Sequence, residues 1–291
     1  MTEKTETQRR VWFVTGASSG FGNAVGKAVL EHGDRLAATA RDRDAIAPLV
    51  DEFPDQAMAL QLDVRDADAA RDTVDHAVAR FGQVDVVLNN AGYGHVGAIE
   101  ELTDAELRQQ LDVNLLGVIN VTRAALPHMR RQRSGHFVQM SSLNGIEGLV
   151  GGGYYTASKF AVEGLSETLA DEVAHLGIKV TIVEPGPHRT RFANAKSAKW
   201  SEPMEDYEDS VGLARKAIRD MDGNQPGDPV RAAEAIIEAV EAEPPPLRLP
   251  LGQMALDNIR AKLNGQLDEL EEWSELSATS DFPSTERAFV T

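Results

Sequence analysis

Not one of the 291 residues is a cysteine. That excludes disulfides, thiolate-bound zinc and cysteine nucleophiles together, and it is compatible with a reducing compartment. A metal site would have to come from histidines and carboxylates, and the seven histidines show no HxxxH or HxxE spacing, so no metal is expected. Also missing is any apolar run near the eighteen or more residues that a membrane span needs. The first ten residues, MTEKTETQRR, are polar with no apolar segment behind them. Both absences point to a cytoplasmic protein rather than a secreted or membrane-spanning one. Basic residues are scarce, 29 against 46 acidic, for a net charge of −17. Such a surface repels phosphate backbones and anionic lipid, which argues against nucleic-acid and membrane partners. The one basic tract, HMRRQR at 128–133, falls at the end of an expected helix, where cations complement the helix dipole. The acidic stretches SEPMEDYED and QLDELEEWSE read as solvated faces.

What is present is an alternating pattern with enough apolar content, 42%, for a sizeable core. Strand-like apolar runs are expected at 11–14, 35–40, 58–62, 84–88, 136–140, 179–183 and 247–251. Helical patterns are expected at 22–32, 44–52, 66–81, 104–133, 155–176, 204–221 and 229–242. Alternation of this kind gives an α/β fold: a mainly parallel seven-stranded sheet covered by helices on both faces. No internal repeat and no second core signature appear, so residues 1–291 read as one domain, with a further helix from 251 to about 275.

Two stretches carry chemistry. The run Val11-Trp12-Phe13-Val14 passes directly into TGASSGFG, with Gly16, Gly20 and Gly22 ahead of a helix. Glycines there let backbone approach a pyrophosphate, and the amides of the helix N-terminus favour its charge. The spacing is GxxxGxG rather than the commoner GxGxxG. Farther on, FVQMSSLNG ends a strand-like run at Ser142, and YYTASKFAVEGL sets Tyr155 and Lys159 one helical turn apart on one face. A free phenol has a pKa near 10, so Tyr155 works as a proton shuttle at neutral pH only if a cation such as Lys159 favours the phenolate. Taken singly, a Tyr and a Lys one turn apart usually mark a helix surface, and a serine after a strand usually marks a turn.

Together these motifs resemble the short-chain dehydrogenase/reductase family in its single-domain, Rossmann-type form. TGxxxGxG at 15–22, NNAG at 89–92, Asn114 in DVNLLG, the Ser142/Tyr155/Lys159 set and PG with a following Thr (Pro185, Gly186, Thr190) stand in the family's order over roughly residues 10–192. The TGASSGFG, TARD and VEPGP tracts lean toward the steroid- and retinoid-dehydrogenase-like branch. The resemblance implies a core at 8–192 for cofactor and catalysis, a substrate lid at 188–225 and a C-terminal extension at 251–291. Gly16, Ser18, Gly20, Phe21 and Gly22 would line the pyrophosphate turn, and Asp63 would accept from the adenine amino group. Asn90, Ala91 and Gly92 would pass the adenosine ribose, and Pro185, Gly186 and Thr190 would orient the carboxamide end. In catalysis Tyr155 would exchange a proton with a carbonyl oxygen steadied by Ser142 while hydride passes between nicotinamide and carbon. Lys159 would lower the Tyr155 pKa and hold the nicotinamide ribose, and Asn114 would hold a water linking Lys159 to solvent. His188, where the family often has an aliphatic residue, is expected to pack or to face solvent.

Cofactor choice rests on GDRLAATARD. An NAD-specific site places an acid at the end of the second strand; that position is Ala40 here, followed by Arg41, which could stack on adenine and pair with a 2′-phosphate. Asp42 could weaken this by pairing with Arg41. NADP(H) is therefore expected over NAD(H). Pocket walls are expected from Tyr93, His95, Leu143, Asn144, Glu147, Val150 and Tyr154, and from a lid bearing Phe192, Trp200, Met204 and Tyr207. This mainly apolar set favours a small-molecule ketone, aldehyde or alcohol, while Arg189, Arg191, Lys196 and Lys199 leave an acyl-carrier-linked 3-oxoacyl reductase open. A non-catalytic nicotinamide-sensing regulator is the other alternative, although it would be expected to lose the Tyr or the Lys. An epimerase or dehydratase of the extended relatives would need a longer chain. By resemblance the 104–133 and 155–176 helices would pair with symmetry mates into a homodimer or homotetramer through Ala157, Ala161 and Gly164. The rival reading packs those small residues onto the chain's own sheet.

Overall fold

The computed structural model describes residues 9–190 and 198–281. Seven strands form one sheet: β1 Val11–Val14, β2 Arg35–Ala40, β3 Ala57–Gln61, β4 Val86–Asn89, β6 Gly135–Met140, β7 Ile178–Pro185 and β9 Arg248–Leu251. Their spatial order is β3-β2-β1-β4-β6-β7-β9, and every neighbouring pair is parallel. This is the doubly wound Rossmann-type sheet that the alternating pattern predicts.

Parallel strands with both faces covered must be apolar throughout, and the period-two alternation of β1 shows how each face is filled. Trp12 and Val14 point into one core with Leu36, Leu88, Val138 and Val183, closed by α1 (Gly20–Glu31) and α8 (Pro229–Glu241). Val11 and Phe13 point into the other with Val87, Phe137 and Ile182, closed by α3 (Ala67–Phe81), α5 (Gly117–Gln132) and α6 (Gly153–Val173). Chain direction reverses at β1, whose neighbours are β2 and β4. The crevice beyond the carboxyl ends of β1 and β4 is where such sheets bind ligands.

Three local differences from the expected pattern matter. The 104–133 helix is α4 (Asp104–Leu111), a π-helical turn at Asp112–Leu116, then α5. The 204–221 helix likewise opens with 3-10 and π turns before α7 (Leu213–Met221). A two-residue parallel pair, β5 (His95–Val96) with β8 (Lys199–Trp200), is too short to leave a periodic signal. Small α2 (Ala47–Asp51), α9 (Gln253–Glu272) and α10 (Ser274–Ala278) complete the elements used below.

Candidate active site

The glycine turn between β1 and α1 is fixed by backbone geometry. Gly16 and Gly20 hold φ of +67° and +57°, a left-handed conformation that side chains disfavour. At Gly22 a Cβ would lie 2.4 Å from the Gly16 carbonyl oxygen and 2.5 Å from Asn90 Nδ2. Asn90 is the brace: its Nδ2 donates to the carbonyls of Thr15 and Gly16 at 2.9 and 3.2 Å. Thr15 Oγ1 in turn accepts from the Asn90 and Ala91 amides at 2.9 and 3.0 Å. The turn is thereby tied to the end of β4, and the Asn90 side chain holds the loop rather than reaching outward. Ser18 is exposed, and Ser19, at the N-cap of α1, places no side chain on the first amides. A cradle that side chains would fill, ahead of uncapped helix amides, suits the pyrophosphate of a dinucleotide. Thr190 stands at the same turn: a Cβ on Gly20 would lie 3.4 Å from the Thr190 Cβ. Gly92 meets Asn114 in the same way, at 3.2 Å from Oδ1. Pro185 ends β7, and the Gly186 amide donates to the Leu251 carbonyl at 2.9 Å. His188 packs, as expected, with its ring 5.0 Å from that of Phe21 and against Gly227.

At the carboxyl end of β6, Ser142, Tyr155 and Lys159 are all buried. Ser142 is bonded to the Tyr155 hydroxyl and accepts from the Asn144 amide at 3.1 Å, which orients it. Lys159 Nζ donates to the Met140 carbonyl at 2.6 Å and lies 5.8 Å from the centre of the Tyr155 ring. Burial pushes the phenol up to about 12, opposed by the Ser142 bond, and pushes the ammonium down to about 8, opposed by Glu163. Desolvation of the phenolate exceeds the help of the Ser142 bond here, and the Lys159 ammonium is held against the strand carbonyl. Asn114 sits in the π turn, completely buried. Its Oδ1 accepts from the Tyr93 amide at 3.1 Å, and its Nδ2 donates to the Tyr93 carbonyl at 3.0 Å and Ser158 Oγ at 3.1 Å. Ser158 Oγ donates to the Tyr155 carbonyl at 2.7 Å. Both ends of Asn114 thus tie the segment after NNAG to α6, the helix that bears Tyr155 and Lys159. The poor helix former marks a π turn, a device frequent at functional sites.

At the adenine end, Ala40 is buried and Arg41 is exposed. Asp42 Oδ1 accepts from the Asp44 amide at 3.0 Å, and among the described residues no ion pair engages the Arg41 guanidinium. Asp63 is held by Arg65, whose Nε lies 2.9 and 3.0 Å from its two oxygens, and this keeps its carboxyl below the usual range.

On the substrate side, His95 is buried in β5 and faces Glu106 at 3.7 Å, so it stands in the small sheet as a structural residue. Tyr154 donates to the Ile99 carbonyl at 3.0 Å and Tyr207 to Glu100 at 2.7 Å. Val150 is 58% exposed beside the catalytic helix. Of the four lid cations, Arg189 donates to the Gln225 carbonyl at 3.3 Å, and Lys199 binds Gln109 and lies over the Tyr93 ring. Arg191, Lys196 and Phe192 lie outside the described residues. A lid anchor that sequence reasoning missed is the buried pair Arg215–Glu101 at 2.6 Å. Glu101 also accepts from the amides of Ala98 and Met204, joining α7 to the segment after β5.

With this geometry in view, the short chain dehydrogenase model matches residues 10–201. The chain belongs to the short-chain dehydrogenase family. It is 37% identical to oxidoreductase BOA17 of Botryotinia fuckeliana over 93% of this chain and 99% of that protein. It is 36% identical to a 3-ketodihydrosphingosine reductase of Bacteroides thetaiotaomicron over 85% of this chain and 89% of that protein. Retinol dehydrogenase 8 of Bos taurus is 33% identical over 82% of this chain and 80% of its own length, which fits the lean to the retinoid branch. A solved short-chain dehydrogenase of Streptomyces avermitilis superposes with a TM-score of 0.88 at 44% identity, covering 94% of this chain and all of that one. An alcohol dehydrogenase of Thermococcus sibiricus, solved with 5-hydroxy-NADP, superposes at 0.68 with 27% identity, covering 84% and 96%.

Beneath Ser142, Tyr155 and Lys159 the dehydrogenase buries a second charged group that its sequence does not advertise. Arg248 of β9 reaches Glu163 of α6 at 3.1 Å, Glu184 of β7 at 3.1 Å and the exposed Glu167 at 2.9 Å. Glu163 follows Lys159 by one turn, and Glu184 is fully buried. Burial, with Glu163 nearby, pushes Glu184 up to about 7 against the pull of Arg248. The pairing of β7 with β9 creates this cluster, and only the sequence VEPG beside RLPL could have hinted at it.

Proposed function

We propose that this dehydrogenase is an NADP(H)-dependent oxidoreductase that interconverts a ketone or aldehyde and an alcohol on a mainly apolar small molecule. The observation that carries the reading is the buried Ser142–Tyr155–Lys159 set at the carboxyl edge of the sheet, directly beside the glycine cradle. A bound nicotinamide supplies or accepts the hydride. Tyr155 donates its phenolic proton to the carbonyl oxygen in reduction and removes it in oxidation. Ser142, aligned by the Asn144 amide, steadies that oxygen, so that two aimed donors meet the developing charge. Lys159, drawn off the Met140 carbonyl, would turn to the nicotinamide ribose and Tyr155, and Asn114 keeps the helix that bears both in place.

The Arg41 guanidinium, in no ion pair among the described residues, with a buried alanine where an NAD site carries its acid, supports the choice of NADP(H). An apolar substrate is supported by the engagement of Arg189 and Lys199 within the protein and by relatives named for sphingoid and retinoid substrates. The assembly we propose is a homodimer or homotetramer through α5 and α6, in the cytoplasm. Ala157 and Gly164 are exposed on α6, beside Phe160 at 44%, which supports an outward-facing contact surface rather than packing onto the chain's own sheet. Among the described residues no helix is long and apolar enough to cross a membrane.

The test follows reduced-nicotinamide absorbance with a panel of apolar ketones and aldehydes. Turnover with NADPH exceeding that with NADH is expected. Tight nicotinamide binding without turnover of any carbonyl would favour the sensor alternative, and activity confined to acyl-carrier-linked 3-oxo substrates would favour the carrier reductase.

A further inference from the structure

Helix α9 changes character halfway along its length. Ala255 and Ile259 are buried beside Leu143 and Ile146. Beyond them the same face runs clear of the body: Leu263, Leu267 and Leu270 are 48%, 62% and 64% exposed. At 3.6 residues per turn these leucines fall within an arc of about 60° that continues the face of Ile259. A leucine stripe left to solvent marks a contact surface, and a helical extension with no tertiary partner among the described residues is marginal in water.

The bordering charges identify the occupant. Arg260 and Glu271 flank the stripe on one side, Lys262 and Glu269 on the other. In an antiparallel helix pair equivalent edges meet, and charges there set partner and orientation. Facing Arg260 with Glu271 of a second copy also faces Lys262 with Glu269, because both pairs share one midpoint, between Gly265 and Gln266. The same midpoint seats Leu263 of one copy between Leu267 and Leu270 of the other. A parallel pairing would instead set the acidic ends, Asp268 to Glu275, side by side, and those acids also disfavour a lipid surface.

We propose that two copies of this chain associate through antiparallel α9 helices about a two-fold axis between Gly265 and Gln266, an isologous contact separate from the α5–α6 surface. The absence of cysteine makes the test clean. In the full-length chain, Gln266→Cys lies beside the axis and should give a covalent dimer on mild oxidation. Asp268→Cys, on the opposite face, and Arg260→Cys, distant from its own mate in this pairing, should not. Glu269→Lys combined with Glu271→Lys should halve the mass measured by light scattering, and adding Arg260→Glu with Lys262→Glu should restore it. Cross-linking at Asp268→Cys or Arg260→Cys as strong as at Gln266→Cys would overturn the proposal. So would a mass that the charge reversal leaves unchanged. Neither readout depends on catalytic activity.

Discussion

The two halves of the sheet solve recognition in opposite ways. On the β1–β3 side, the site is made of backbone: glycines that leave room, amides that point outward, and Asn90 pinning the turn. On the β6–β9 side it is made of buried ionisable side chains, Lys159, Glu163 and Glu184, with Arg248 among them. The difference teaches where each half is vulnerable. The first should respond to added volume and hardly to pH; the second should respond to removed charge and to pH.

The largest expected effect lies in the second half. Tyr155→Phe removes only the proton-transferring oxygen, so kcat should fall about 10²–10⁴-fold while nicotinamide binding and the thermal midpoint persist; steady-state kinetics beside a binding titration checks both. Arg248→Met leaves Glu163 and Glu184 buried without their cation. Breaking a buried pair costs about 3–5 kcal/mol, and because the Arg248 side chain is 33% exposed, about 2–4 kcal/mol is expected in a denaturant titration. If the loss is no greater than for a surface arginine, the contrast between the halves fails there.

In the first half, Gly22→Ala drives a methyl group onto the Gly16 carbonyl. Overpacking of this kind costs about 1–3 kcal/mol, and nicotinamide affinity should drop with it, read by thermal shift with and without cofactor. Arg41→Ala tests the cation proposed for the 2′-phosphate in the backbone half. The ratio of kcat/KM for NADPH over NADH should fall by about 1.5–3 kcal/mol, the worth of one charge-assisted contact, with stability unchanged.

The pH response is the most diagnostic of the second half. Glu184 has its folded pKa raised to about 7 from 4.5. Such a group holds its proton in the fold after the unfolded chain has released it. Its favourable contribution is full below about 4.5 and lost as pH rises through about 7, with one unit worth about 1.4 kcal/mol. Glu184→Gln should therefore gain stability relative to the parent as pH goes from 5 to 8, measured as the difference of melting temperatures across that range. A constant difference would show that Glu184 is already ionised.

The order of strands and helices was legible because parallel strands must be apolar runs and the connections must alternate with them. The Ser142/Tyr155/Lys159 set and the glycine turn were legible because each has a fixed local spacing. Asn114 was legible as a family-motif position, but the π turn it occupies leaves no signal in the sequence, since hydrogen bonds to Tyr93 and Ser158 hold it and these come from distant segments. The Arg248 cluster and the Arg215–Glu101 anchor stayed hidden for the same reason. A buried glutamate reads like an exposed one until strand pairing shows its neighbours. Arg41 was legible as a position, while its freedom from Asp42 depends on a turn that draws the carboxylate onto the Asp44 amide.

The π turn at Asp112–Leu116 has a consequence for how this family member can change. One extra residue per turn is, in effect, an insertion stored inside a helix: the five residues of a π turn wind about as far as four of an α-helix, so excising one would restore regular winding while leaving everything downstream close to its present phase. α4, which lies against α6, and α5, which closes a core, therefore keep their buried faces across the extra residue. A single-residue deletion between 112 and 116 should therefore cost the hydrogen bonds of Asn114 to Tyr93 and Ser158 rather than the packing of α5.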